Sequence, residues 1–427
     1  MLECDRVAIV SCRSFRRGSE REVSVKGFMR FVRAAFVTAV GVCLFVAASV
    51  TEACPFCSAP SLTLTEQLAK ADAAVQVQWA GGDKGDGKEK FGNTVYEVIQ
   101  VLRDVDKKLK KGDRITLDRY RAGKKGDLSL LLGSKLETLD WGSPLEVSET
   151  SFNYVVQAPS PESASDKRLA YFLKFLEFSD PLVSNDAFAE FANAPYKDIV
   201  LLAKQMPRDK LRKWLTDPNV SVTRIGVYGM MLGLCGEESD AKLMEEKINP
   251  KVSSEEFRLG IDGVMGGYLL LTGEDGLKVI EQAKFQNKKV PFSETYAAMQ
   301  ALRFMWTYGD GRIPKNRLQA SMRLLLDRPE LADLVISDLA RWKDWTVIPK
   351  LMAMYGDGEF NVPSIKRATV RYLLACTKDV PKVEAGSASI QKPTEAAHVG
   401  EATKALETLR QKDPKTVSEA ERFFFLP

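Results

Sequence analysis

The chain has 427 residues, 45% of them hydrophobic and 28% charged. That is an ordinary globular composition long enough for two domains and tails, and it excludes wholesale disorder. Residues 1–53 hold eight Lys/Arg against five Asp/Glu, which leaves 53 basic and 52 acidic residues for the rest. A near-neutral remainder gives no global electrostatic case for nucleic acid or an anionic membrane as partner. The single histidine, His398, leaves Ser-His-Asp catalysis, Cys-His catalysis and catalytic zinc sites without their imidazoles. It lies in a polar stretch and reads as a solvated side chain, so the expectation is a chain with no catalytic residues, no metal and no cofactor.

In chain order the first feature is a leader, residues 1–53. Arg30 and Arg33 precede an uncharged apolar run from Ala34 to Val50, and Thr51-Glu52-Ala53 places a small residue before Cys54. This is the pattern of a cleaved signal peptide and of an exported protein: periplasmic, cell-envelope or secreted. The alternative is a membrane anchor through residues 34–50 that stays uncut. Met29 stands directly before the Arg-Phe-Val-Arg segment and reads as the true translation start. Lipidation of Cys54 would be a second route to a membrane, although Thr51 and Glu52 do not make the usual lipidation box.

Cys54-Pro55-Phe56-Cys57 is the one motif with possible chemistry. A redox pair needs its second cysteine inside a helix and a strand before it, and Ser58 stands where haem attachment needs histidine. The expected role of Cys54 and Cys57 is a local disulfide, with thiol-disulfide exchange as the alternative. Cys235 and Cys376 lie isolated in apolar helical surroundings and read as small buried hydrophobes.

Residues 54–160 read as a small β domain. A short helix at Leu64–Ala71 starts with Thr63 as N-cap and Glu66 three residues on, a capping box. Period-2 alternation then gives strands at Ala74–Trp79 and Thr94–Val105, followed by Arg114–Leu117 and Leu128–Leu132. Leu145–Glu149 and Asn153–Gln157 are read as two more. Hairpin-type turns between them predict a small closed barrel or sandwich. The cysteine pair, the short helix, "ADAAVQVQW", "TVYEVIQVLRD", "KKGDRITL" and "LSLLLGS" resemble, in that order, the netrin-like module, an OB-type barrel found in tissue inhibitors of metalloproteinases. The resemblance implies inhibition of an extracellular metalloprotease as a further alternative. The family's CxC is CPFC here, and no later cysteine of the domain stands ready to pair with it. Basic residues Lys107, Lys108, Lys110, Lys111, Arg114 and Arg121 form a candidate polyanion-binding rim.

From residue 166 to about 380 the apolar period becomes helical, as in Leu169, Phe172, Leu173 and Leu176. Self-similar segments recur around Gly236, Gly273, Gly309 and Gly356, spaced 37, 36 and 47 residues. The glycine turns read as helix C-caps with φ > 0. "DPLVSNDAFAEFA", "DPNVSVTRIGVYGMMLGL" and "VPSIKRATVRYLLAC" resemble HEAT-type repeats, with Arg224 at a position such repeats often make basic. Residues 381–427 are a polar linker, a helix at about 395–411 and an apolar end, Phe423–Leu426. The predicted architecture is α+β and multidomain, a small OB/netrin-like β barrel followed by a HEAT-like α-solenoid. The function this architecture implies is an exported, non-catalytic protein-interaction or scaffolding protein, its partner a protein and no nucleic acid.

Overall fold

Thr63 ends the extended entry segment and caps the first helix, α1 (Leu64–Lys70). Its side chain accepts from Glu66 N–H and the Glu66 side chain returns the bond to Thr63 N–H, the predicted capping box. The computed structural model describes residues 54–56, 61–86, 91–135, 137–250, 257–380 and 397–422. The leader, Cys57 and the apolar end at 423–427 lie outside the described residues, and with them the signal, anchor and disulfide readings.

Six antiparallel strands follow: β1 (Ala73–Gly85), β2 (Phe91–Asp104), β3 (Arg114–Leu117), β4 (Leu128–Lys135), β5 (Leu139–Trp141) and β6 (Leu145–Glu146). They pair in the order β3-β2-β1-β4-β5, with β6 on β4. The predicted closure is not observed. Among the described residues no pairing joins β3 to β5, so the sheet is open. Three register shifts between β1 and β2, at Ala74/Val75, Gln76/Val77 and Trp79/Gly81, curl it nonetheless. On the inside of that curl Val75, Val77, Tyr96, Val98, Ile115 and Leu131 form a small core.

The other face of the sheet serves the helices. Leu130 of β4 belongs to the large helical core, with Leu128 and Leu132 packed against it. Leu131 between them points to the sheet's own core, which is why "LSLLL" is apolar on both parities. Each fully buried leucine side chain contributes roughly 1.5–3 kcal/mol, so β4 ties the two cores together.

Asn153–Gln157 is not a strand. Ser148 and Ser151 form a reciprocal cap, and Glu149–Gln157 is helix α2, with Phe152 and Val155 one turn apart on its buried side. Helices α3 (Ser165–Phe172), α4 (Pro181–Asn193), α5 (Tyr196–Val200) and α6 (Arg208–Thr216) come next. Asp180 caps α4 by accepting from Leu182 N–H, with Pro181 at the first turn, as Asp-Pro predicts.

Beyond them lie α7 (Val222–Cys235), α8 (Glu238–Ile248), α9 (Ile261–Thr272), α10 (Glu274–Ile280), α11 (Phe292–Tyr308), α12 (Lys315–Leu324), α13 (Ala332–Arg341), α14 (Ile348–Met354) and α15 (Pro363–Thr377). Two further helices, α16 (Ala397–Lys412) and α17 (Pro414–Arg422), pack on α15. The α7–α9 seam runs on glycine: a Cβ on Gly233 would lie 2.4 Å from Gly267 Cα, and one on Gly267 would lie 2.0 Å from Gly229 O. Residue numbers rise together along this seam, so α7 and α9 are parallel.

Side-chain ties between successive helix pairs recur at one separation. Arg258 to Glu294, Arg317 to Glu281 and Lys343 to Asp379 each span 36 residues, and Arg303 to Asp338 spans 35. Arg224 is buried, donating to Glu177 Oε1 at 2.5 Å and Asn185 Oδ1 at 2.6 Å. The described residues fall in one compact unit.

Candidate functional site

Helices α7, α9 and α11 end on the same edge of the molecule. The glycine after each helix donates back into its last turn, Gly236 N–H to Leu232 O (2.7 Å), Gly273 N–H to Leu269 O (2.9 Å) and Gly309 N–H to Met305 O (3.0 Å). The predicted glycine caps are therefore present, with different backbone solutions. Gly273 and Gly356 take positive φ, 61° and 78°. After Gly309 the left-handed residues are Asp310 (φ 45°) and Gly311 (φ 73°), while Gly236 has φ −81°. An aspartate tolerates the left-handed region better than most residues, and here it starts a turn that projects beyond the helix ends.

The three ends and that turn enclose an open groove of about 1040 Å3. Tyr196 and Lys197 of α5 form one wall, Leu234 and Leu270 another, and Thr307, Asp310 and Arg312 stand on the rim. Beneath lies a run of rings: Tyr196 to Tyr308 at 4.9 Å, Tyr196 to Phe304 at 5.2 Å and Phe304 to Phe56 at 4.8 Å between centroids. Helix C-termini carry partial negative charge. Arg312 answers it directly by donating to Leu271 O at 2.6 Å. Burial, and secondarily the Asp310 charge, push the Tyr196 hydroxyl up to about 12, so it stays a neutral donor. The groove thus offers an aromatic floor, helix-end carbonyls and a rim of mixed charge.

Phe56 at the end of that run of rings comes from the CPFC motif. Cys54 is 4% exposed, and its N–H donates to Ala192 O of α4 at 3.2 Å. The Phe56 ring fills the space above Gly266, where a Cβ would meet its ring edge at 2.7 Å. The segment is therefore woven into the helical core, and a lipid or a redox partner at Cys54 would require it to undock. Cys57 lies outside the described residues. Burial pushes the thiols of Cys235 and Cys376 up to about 11 and about 12, which suits their predicted role as small hydrophobes.

No family model matches the chain, and no curated protein matches it.

The basic residues of the sheet occupy two places. Lys107, Lys108, Lys110 and Lys111 are exposed in the β2–β3 connection, with Arg114 at the start of β3. Arg121 follows the far end of β3, half-buried, with Nη1 3.5 Å from Pro144 O. His398, expected to be solvated, is half-exposed, its ring 6.2 Å from that of Trp345 and its Nε2 3.4 Å from Asp379 O. Among the described residues no three His, Cys, Asp or Glu side chains converge as metal ligands would. None of the described helices is long and apolar enough to cross a membrane.

The sequence reading missed a second polar centre, at the junction of α1, α2 and α4. Asp186 Oδ1 accepts from Leu64 N–H at 2.7 Å and Oδ2 from Tyr154 O–H at 2.8 Å. One turn along α4, Glu190 accepts from Thr65 Oγ1 at 2.6 Å and from Arg168 Nη1 at 2.5 Å. Burial, above all, pushes the Asp186 carboxyl up to about 6, with Glu190 and Glu66 adding to it. A signal was available: Val183, Asp186, Ala187, Glu190 and Phe191 share the buried stripe of α4, so two acids occupy core positions.

Proposed function

We propose that this chain is an exported protein-interaction or scaffolding protein that holds a segment of a protein partner in the groove at the ends of α7, α9 and α11. The observation that carries the reading is the groove itself, about 1040 Å3, lined by the tilted ring pair of Tyr196 and Tyr308. Aromatic floors bury a partner's apolar anchors, while exposed carbonyls and hydroxyls take its backbone hydrogen bonds. The finer architecture belongs to the same proposal. A HEAT-like array is supported by ties recurring at 35 and 36 residues. An OB-type, netrin-like sheet is supported by an antiparallel five-strand path that three register shifts curl without closing. Export is supported by the Arg-flanked apolar run before Cys54.

Thr307→Trp tests the groove, because Thr307 is exposed on its rim and the change fills space without touching the core. The variant is expected to keep the wild-type melting temperature and lose partner co-purification from the exported fraction. Undiminished co-purification would remove the groove from the account.

A further inference from the structure

A second cleft, of about 660 Å3, lies between the sheet and helices α1 and α4. Leu130, Leu132, Leu145 and Leu182 give it an apolar strip beside neutral polar residues such as Gln67, Ser134 and Asn185, and two acidic residues line it, Asp186 from α4 and Asp140 from β5. No lysine, arginine or histidine is among the described residues lining it. Asp186 is 7% exposed, and a buried carboxylate ordinarily has a cation beside it. Elsewhere in this molecule that rule is kept: buried Glu294 meets Arg258 and Lys284, buried Glu281 meets Arg317, and buried Asp344 meets Arg323. Asp186 has instead two neutral donors, Leu64 N–H and Tyr154 O–H. The cation of its network, Arg168, bonds Glu190. A carboxylate has about four acceptor positions, so each Asp186 oxygen keeps one beyond the bond it already makes.

From this geometry we infer that the cleft is a binding site for a small aliphatic amine, its ammonium group on Asp186, its hydrocarbon chain along the leucines, and the exposed Asp140 adding negative charge to the lining. The chemistry of the lining selects this class. Leucines alone would take an alcohol or a fatty acid equally well, and carboxylates with no cation among the lining residues repel the acid and favour the cation. The site does not depend on the groove at the helix ends and stands or falls separately.

The probes are n-hexylamine, n-hexanol and n-hexanoate, titrated by calorimetry into the purified protein at pH 7.5. Saturable binding of the amine is expected, about tenfold tighter than the alcohol, with no binding of the acid. Asp186→Asn is expected to weaken the amine about tenfold or more, and Asp140→Asn by a smaller factor. Asn keeps an oxygen for Leu64 N–H, and its amide donates to the Tyr154 hydroxyl. Should that variant fail to fold, Leu182→Trp fills the cleft from the half-exposed face of α4 and is expected to abolish binding. Lowering the pH to 5 should weaken the amine as Asp186 takes a proton. The groups facing it, Tyr154 from α2, Glu66 from α1 and Glu190 from α4, supply no compensating cation. Equal binding of alcohol and amine, indifference to the variants or no saturable binding would each overturn the site. Tighter binding of a lysine-bearing tripeptide than of hexylamine would also overturn it, by assigning the cleft to a partner's side chain.

Discussion

Single positions in this molecule divide into those where a methyl group is forbidden and those where it is free. Gly267 has a neighbouring carbonyl 2.0 Å from the place its Cβ would take, and Gly400 of α16 has nothing within 4 Å. Gly267→Ala should cost about 1–3 kcal/mol through forced separation of α7 and α9. Gly400→Ala should add roughly 0.5–1 kcal/mol by helix propensity alone. Urea midpoints of the two variants check both signs. Asp186 makes a pH prediction. Its folded-state carboxyl, at about 6, lies above the ordinary 3.8, so between those values the folded protein binds more protons than the unfolded chain. Stability contributed by this group therefore rises as pH falls through 6 and is complete below 3.8, a swing on the order of 3 kcal/mol. Relative to Asp186→Asn, the wild type should gain stability between pH 7 and pH 5; a parallel pair of curves would contradict the shift.

Among elements, cohesion between successive helices comes from buried ion pairs as well as apolar contact. Burial alone would raise the Glu294 carboxyl, yet the hydrogen bonds from Arg258 and Lys284 outweigh it and hold the group below the usual range. Glu294→Ala strands two cations and should cost about 3–5 kcal/mol. The exposed Lys278–Asp275 pair of α10 is the contrast: Lys278→Ala should leave the urea midpoint unchanged. These elements also separate what the sequence made legible from what it did not. Thr63 with Glu66 and Asp180 with Pro181 announce their helices because caps are local, made within four residues. The α2 segment was misread because "FNYVVQ" is rich in β-formers, while the Ser148–Ser151 cap that decides it lies just upstream. Closure of the sheet was overcalled because alternation reports a strand's faces and is silent on which edges meet. The groove was invisible for a related reason: it is made by helix ends that are each about 36 residues apart in sequence.

At the scale of the whole molecule, the sheet and helices share a core through Leu130, and the CPFC motif contributes Phe56 to it. A motif that reads as chemistry is thus also packing. Phe56→Ala should destabilise the helical array by about 3–5 kcal/mol, read as a lowered melting temperature of the full chain; an unchanged melt would mean that the segment lies free of the array. Phe56 touches Phe304, which touches Tyr196 in the groove wall, so core packing and the proposed partner site meet at Tyr196. The most direct test of the account is site-specific photocrosslinking in the cell that makes the protein, with the photoreactive residue at Thr307 on the groove rim or at exposed Lys125 beside the sheet. The account predicts one discrete crosslinked protein from Thr307, absent from Lys125 and competed away by excess unlabelled wild-type protein. No discrete product from Thr307, or the same products from both positions, would contradict it.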